Sequence, residues 1–355
     1  MNELKRPYAD QEFYDGVMKA GFESFPERKA NYLRFKEAER GAVLDHLPVK
    51  LDVENVSRCN FHCTMCQVSD WEGLKRARDM DLEEFKKLMD EQIGLVEIKL
   101  QGMGEPLMGK SYFEMIKYAR ERHIWVRSTT NASLLHVNEN YKKIIDSDVC
   151  ELQVSVDGAT AETYEKIRRG GRFKRMMENC SLLNSYAKSV NKMRTRMWVV
   201  VQKDNFNELE KFPALAAELG FERLSFSLDL TDWGQDEWKS QNDQVDMHKQ
   251  FDVDIANRLT KLGEDRNLDV TFWFIDDKYN TSSKDKLCPW PFERAYVSSD
   301  MKIVPCCMIA NPEISNLGDA NNFSSEWNNK NMQEFRQAHI DGKVPHVCKS
   351  CYKLN

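Results

Sequence analysis

Val49-Lys-Leu-Asp-Val-Glu-Asn-Val-Ser-Arg-Cys-Asn-Phe-His-Cys-Thr-Met-Cys66 is the stretch that decides the reading. Its first half alternates apolar and polar residues, the pattern of a strand. Its second half places Cys59, Cys63 and Cys66 at C-x3-C-x2-C spacing, on the loop leaving that strand. Three thiolates do not close a tetrahedral zinc site, and they leave one iron of a four-iron cluster without a protein ligand. An open iron can hold a substrate or cofactor, so the triplet points to chemistry rather than to a structural staple.

Working outward, a strand–helix rhythm follows. Strands are expected at 49–55, 95–101, 124–129, 150–156, 195–202 and 223–229. Helices are expected near 81–93, 111–122, 138–146, 160–167, 174–189 and 206–219. The alternation predicts parallel strands joined by crossover helices, with chemistry at the C-terminal strand ends. Several motifs fall at those ends. The second strand runs into Gly102-Met-Gly-Glu-Pro-Leu107, where glycines allow close backbone approach to a ligand. The third ends in Thr129-Thr-Asn-Ala-Ser133, where Asn131 is either a helix cap or a cofactor contact. The fourth is Glu151-Leu-Gln-Val-Ser-Val-Asp-Gly158, with Ser155 a possible donor.

The triplet and these three strand ends resemble the radical S-adenosylmethionine (SAM) superfamily from about residue 45 onward. The resemblance implies an α/β fold, an open, partial (β/α)6 TIM-like barrel. It implies a 4Fe-4S cluster on Cys59, Cys63 and Cys66 whose open iron binds SAM. Electron transfer into the sulfonium then releases a 5′-deoxyadenosyl radical that abstracts a hydrogen atom, chemistry that belongs to the cofactor. SAM contacts are expected from Met65, Gly102, Met103, Gly104, Glu105, Asn131, Ser155 and Arg168, or its neighbour Arg169. Relatives usually carry an aromatic residue where this chain has Met65, and a glycine where it has Ala132.

A second cysteine set follows: Cys288, Cys306, Cys348 and Cys351, with seventeen residues between the first two and two between the last two. Four thiolates close a metal site, and in isolation the C-x2-C pair would suit zinc. Asn316-Leu-Gly-Asp and Ser325-Glu-Trp-Asn resemble the SPASM/twitch extension, which implies an auxiliary 4Fe-4S cluster, here in the shorter twitch form. Cys307 is left over beside a ligand, as a substitute ligand, a buried thiol or a hydrogen-atom donor. Cys150 and Cys180 read as core residues.

The expected division is 1–45 as a helical extension packed on the main domain, 46–283 as the barrel and 284–355 as the cluster module. Residues 232–250 read as a lid or as a solvated connection. No apolar run approaches a membrane span, and the net charge of −6 is spread along the chain, arguing against nucleic acid. The N-terminus lacks a signal sequence, and ten cysteines without one read as ligands and reduced thiols. These point to a cytoplasmic protein working at low oxygen, served by an electron donor such as flavodoxin or ferredoxin.

A fully ligated auxiliary cluster suits electron transfer. The first expectation is therefore oxidation of an alcohol in a small polar substrate: a sugar, cyclitol or nucleotide. Lys203, Asp229 and Asp232 are the possible bases. Asp229, Trp233, Trp238, Trp273 and Asp276 are possible substrate contacts. Two enzymatic alternatives remain, an epimerase with Cys307 as hydrogen donor and a ribosomal-peptide maturase. The maturase ranks lower, because residues 1–45 seem too short and too poor in strand pattern for a leader-binding domain. A zinc-stabilised binding protein is the non-enzymatic alternative.

Overall fold

A computed structural model describes residues 4–274 and 279–353; Asp276 lies outside the described residues. Ten strands form one sheet: β1 (Lys50–Val53), β2 (Glu97–Leu100), β3 (Trp125–Thr130), β4 (Glu151–Ser155), β5 (Thr195–Val200), β6 (Arg223–Ser227), β7 (Asp269–Trp273), β8 (Arg294–Val297), β9 (Lys302–Val304) and β10 (Gly318–Asp319). Their order is β10-β9-β8-β1-β2-β3-β4-β5-β6-β7. β1 to β8 are parallel, and β9 and β10 are antiparallel additions. β7 and β10 are the two ends, so the sheet curls around a cavity without closing.

Local chemistry sets the helices that cover its outer face. Asp81 and Glu84 form a capping box that starts helix Leu82–Glu91, whose Phe85, Leu88 and Met89 turn inward. Asp252 caps helix Val253–Glu264 by accepting from the Ile255 N–H at 2.8 Å. The stretch expected as one helix over 206–219 is two pieces, a 3-10 turn at Phe206–Lys211 and an α-helix at Phe212–Glu218. Pro213 explains the restart, since proline has no N–H to continue a preceding helix but suits a first turn. Each strand alternates outward apolar residues, such as Leu51, Ile98 and Val126 in the main core, with inward polar ones such as Asp52, Lys99 and Arg127 on the cavity.

Two features show how the ends of the chain join the barrel. β8 pairs with β1 along its whole length, Lys50 opposite Arg294 and Val53 opposite Val297. The segment after 283 therefore extends the barrel's own sheet. At the other end, helices Gln11–Ser24 and Pro26–Glu37 follow an extended lead-in. The Lys5 carbonyl accepts from the Phe272 N–H on β7 at 2.8 Å, and the Tyr8 carbonyl accepts from the buried Arg196 guanidinium at 2.8 Å. Phe13 and Tyr14 pack on Trp125, each ring centroid 5.0 Å away. The lead-in thus runs along β7 and seats against the N-terminal ends of β5 and β3. No helix among the described residues is long and apolar enough to cross a membrane.

Candidate active site

A cavity of about 800 Å³ runs through the sheet's interior, from Tyr8 and Tyr14 at one end to Cys59, Cys63 and Cys66 at the other. The thiol loop is held from several sides. Arg58 makes a two-pronged pair with Asp79 at 2.7 and 3.0 Å. The His62 and Thr64 N–H groups donate to the carbonyls of Arg169 and Ile167, both at 3.0 Å. The Phe61 N–H points at the Cys59 sulphur, 3.4 Å away. Burial pushes the Cys59 thiol up to about 12 and raises Cys63 and Cys66 as well. All three are free thiols.

In the second set the Cys306 thiol is pushed up by burial and by Cys307, Cys348, Cys288 and Cys351 around it. Cys288 is tied in place by its N–H, which donates to the Tyr352 hydroxyl at 2.8 Å. Among the described residues no three His, Cys, Asp or Glu side chains converge tightly enough for one metal ion. Soft thiols grouped without converging on a point fit a multi-iron cluster, where each sulphur takes its own iron. One apolar cluster, including Val68, Met103, Val304 and Ile309, touches both sets through Cys59, Cys66 and Cys306.

The glycine loop after β2 explains its own composition. A Cβ on Gly102 would lie 2.3 Å from the Glu54 side chain, and one on Gly104 would lie 2.3 Å from the Val56 carbonyl. Glu105 lines the cavity, but its oxygens are committed. Oε1 accepts from the Thr130 hydroxyl at 2.6 Å, and Oε2 accepts from the Asn131 N–H at 2.7 Å. Burial raises its pKa to about 6. It locks the second strand end to the third, which leaves backbone groups of the loop for a ligand.

Asn131 caps a turn, not a helix, and its amide lies beside the first cysteine. Its Oδ1 accepts from the Ser133 N–H at 2.9 Å, a turn cap, while its amide faces Asn60 at 3.0 Å and the Cys59 sulphur at 3.9 Å. Ala132 adopts φ 63°, the left-handed region that explains the glycine of relatives. Ser155 and Met65 line the cavity. Arg168 is buried rather than solvated; it pairs with Asp157 at 2.6 Å and faces Cys63. Arg169 is exposed.

Asp229 also lines the cavity, paired with His248 at 3.2 Å. That carboxylate raises the His248 pKa. His248 escaped the sequence reading because it lies nineteen positions away in a segment without periodicity. Trp233 and Trp273 reach the cavity, whereas Trp238 is buried elsewhere and Lys203 is exposed outside the lining. Segment 231–241 lies over the thiol loop: Trp233 donates to the Met65 carbonyl at 3.3 Å and Gln241 to the Thr64 carbonyl at 3.0 Å. Cys307 lines the cavity too, near Asp52, Lys99 and Arg294.

With this geometry in view, residues 56–216 match the Radical SAM superfamily and residues 288–352 match the SPASM iron-sulfur cluster-binding domain. The C-terminal match is to SPASM; the shorter twitch form finds no support in it. Mycofactocin maturase MftC of Mycolicibacterium smegmatis is 30% identical over 223 residues, covering 61% of this chain and 53% of that protein. The tungsten-containing aldehyde ferredoxin oxidoreductase cofactor-modifying protein of Pyrococcus furiosus is 26% identical over 266 residues, covering 72% and 70%. The chain spans about half the length of the MftC relatives it matches. Among solved structures, Streptococcus suis SuiB bound to precursor peptide SuiA superposes with a TM-score of 0.64 at 14% identity, covering 87% of this chain and 69% of SuiB. That likeness establishes the fold.

Proposed function

Because the chain belongs to the radical SAM superfamily and carries a SPASM cluster-binding domain, we propose that it is a maturase that modifies a peptide. The expectation of alcohol oxidation finds no support among the curated relatives, which include maturases, a cofactor-modifying protein, a heme synthase and GTP 3',8-cyclases. The observation that carries the peptide reading is the shared cavity. It joins the thiol loop, the three motif-bearing strand ends and a charged inner wall in about 800 Å³. Shared with SAM, that space suits one or two residues of a longer chain. The maturase relative at 30% identity supports the same reading.

When bound, a 4Fe-4S cluster with SAM supplies a carbon-centred radical that removes hydrogen from an unactivated C–H bond. Cys59, Cys63 and Cys66 would hold that cluster; Cys288, Cys306, Cys348 and Cys351 would hold an auxiliary one. The remaining work falls to the chain itself. Gly102 and Gly104 let the loop after β2 pack tightly on Glu54 and the backbone leading into the cysteines, with Met103 beside them on the cavity, while Ser155 and Arg168 offer donors to an anionic group. Trp233 and its segment shield the thiol loop from water. Asp229, steadied by His248, is placed to accept a proton from the bound substrate. Cys307 on the wall serves as hydrogen donor should the modification invert a carbon.

The test is anaerobic incubation of the iron-loaded protein with SAM, a reductant and a short peptide encoded beside its gene. The reading expects 5′-deoxyadenosine together with a changed peptide mass. A second reading, modification of a small cofactor, is favoured by the Pyrococcus relative, which is matched over 70% of its length. 5′-Deoxyadenosine formed with a pterin or tetrapyrrole, and with no peptide, would select it.

A further inference from the structure

The middle of the cavity wall holds two charges that the fold itself leaves uncommitted. Asp52 on β1 and Lys99 on β2 are register neighbours, and both face the cavity. The other charges around them are taken. Glu97 pairs with Lys50 at 3.3 Å and with Arg127 at 2.8 Å. Glu151 pairs with Arg196 at 3.7 Å and with Arg223 at 3.6 Å. Arg294 is held by Glu293 at 2.9 Å. Asp52 is 4% exposed, and its side chain makes no hydrogen bond or close ion pair with any described residue, though Lys99, Arg294 and Arg127 act on it by charge; the Lys99 side chain makes no such bond either.

A buried carboxylate that no hydrogen bond satisfies is costly, and folds keep such groups where function repays them. One acceptor and one donor, side by side on adjacent strands, complement a group that offers a donor and an acceptor of its own. One residue of an extended peptide does so: its own N–H and carbonyl point to the same edge, the first donating to a carboxylate and the second accepting from an ammonium. A plain hydrocarbon or a lone hydroxyl does not satisfy both.

We infer that Asp52 and Lys99 are substrate-binding residues that hold one residue of an extended peptide by its backbone, its N–H on Asp52 and its carbonyl oxygen on Lys99. This rests on the peptide reading above and adds where the peptide is gripped. It places the grip below the thiol loop, so that a neighbouring residue of the peptide is presented to the cofactor end of the cavity.

The experiment uses the cluster-loaded full chain, as wild type, Asp52→Leu and Lys99→Met. Each is given the peptide that wild type modifies, and versions in which each backbone amide in turn is an ester. An ester keeps the carbonyl and lacks the N–H. One ester position should raise the wild-type KM at least tenfold, and Asp52→Leu, which has no acceptor to offer, should no longer distinguish it. Lys99→Met should raise KM for the all-amide peptide by a similar factor. Equal KM at every ester position, or wild-type kinetics in both variants, overturns the inference while the peptide reading stands. A wild type that modifies no peptide removes the peptide reading and the grip with it. Thermal melting without peptide is the second measurement. Asp52→Leu should melt at or above wild type, because it removes a buried carboxylate that no hydrogen bond satisfies. A fall in each single variant that the double variant restores would show that the two groups serve one another, and would overturn the assignment.

Discussion

Gly102 sits where a single methyl group decides the site. A Cβ there would overlap the Glu54 side chain, which is itself fixed by the Met103 N–H at 3.0 Å and the Ser299 N–H at 3.1 Å. Gly102→Ala should cost about 1–3 kcal/mol of stability from overpacking and weaken SAM binding, read by denaturant midpoint and by equilibrium dialysis of SAM. Glu105 gives a pH signature. Its folded pKa of about 6 lies above the ordinary 4.5, so between those values the folded chain keeps a proton that the unfolded chain releases. The stabilisation is present below pH 4.5 and lost as pH rises through 6. At ~1.36 kcal/mol per pKa unit, wild type should lose ~2 kcal/mol more than Glu105→Gln across that window. Denaturant titrations at stepped pH check this. The three thiols and the glycines were legible in the sequence, because few other chemistries need that spacing. Asp52 and Lys99 were not. A lone charge every second residue of a strand reads as a solvent face, and only the curl of the sheet turns that face into a cavity wall.

Among the elements, the tie between the thiol loop and the β8–β9 hairpin is the one to test. Arg76, from the loop, reaches Asp300 at 2.7 Å and Glu54 at 3.3 Å. Glu54 is fully buried, so Arg76→Met strands its carboxylate. The loss should be about 3–5 kcal/mol, and adding Glu54→Gln should recover part of it, as seen in a double-mutant cycle of urea unfolding. The strand–helix alternation was readable because each unit carries its own period. The pairing of β8 with β1 was not, since it joins residues more than two hundred positions apart and leaves no local mark. Segment 231–241 was equally opaque: its contacts with the thiol loop are made by side-chain amides and an indole, which carry no periodicity.

For the molecule as a whole, the extended lead-in decides how the cavity is floored. Removing residues 1–10 takes the Tyr8 carbonyl from Arg196, which is fully buried. Leaving one donor unsatisfied costs about 1–3 kcal/mol, so the truncated protein should show a lower urea midpoint and faster hydrogen exchange at β7 amides, Phe272 foremost. Unchanged exchange there would mean that the lead-in does not hold the edge strand.

The adjacency of β8 to β1 also governs how the molecule is made. β1 leaves the ribosome early, yet one of its two neighbours is among the last strands synthesised. At about 5–20 residues per second, its free side waits for tens of seconds. Nascent chains should therefore remain sticky and protease-sensitive until the C-terminal cysteines emerge, so that iron loading of the first site in a half-made chain would precede the wall that shelters it.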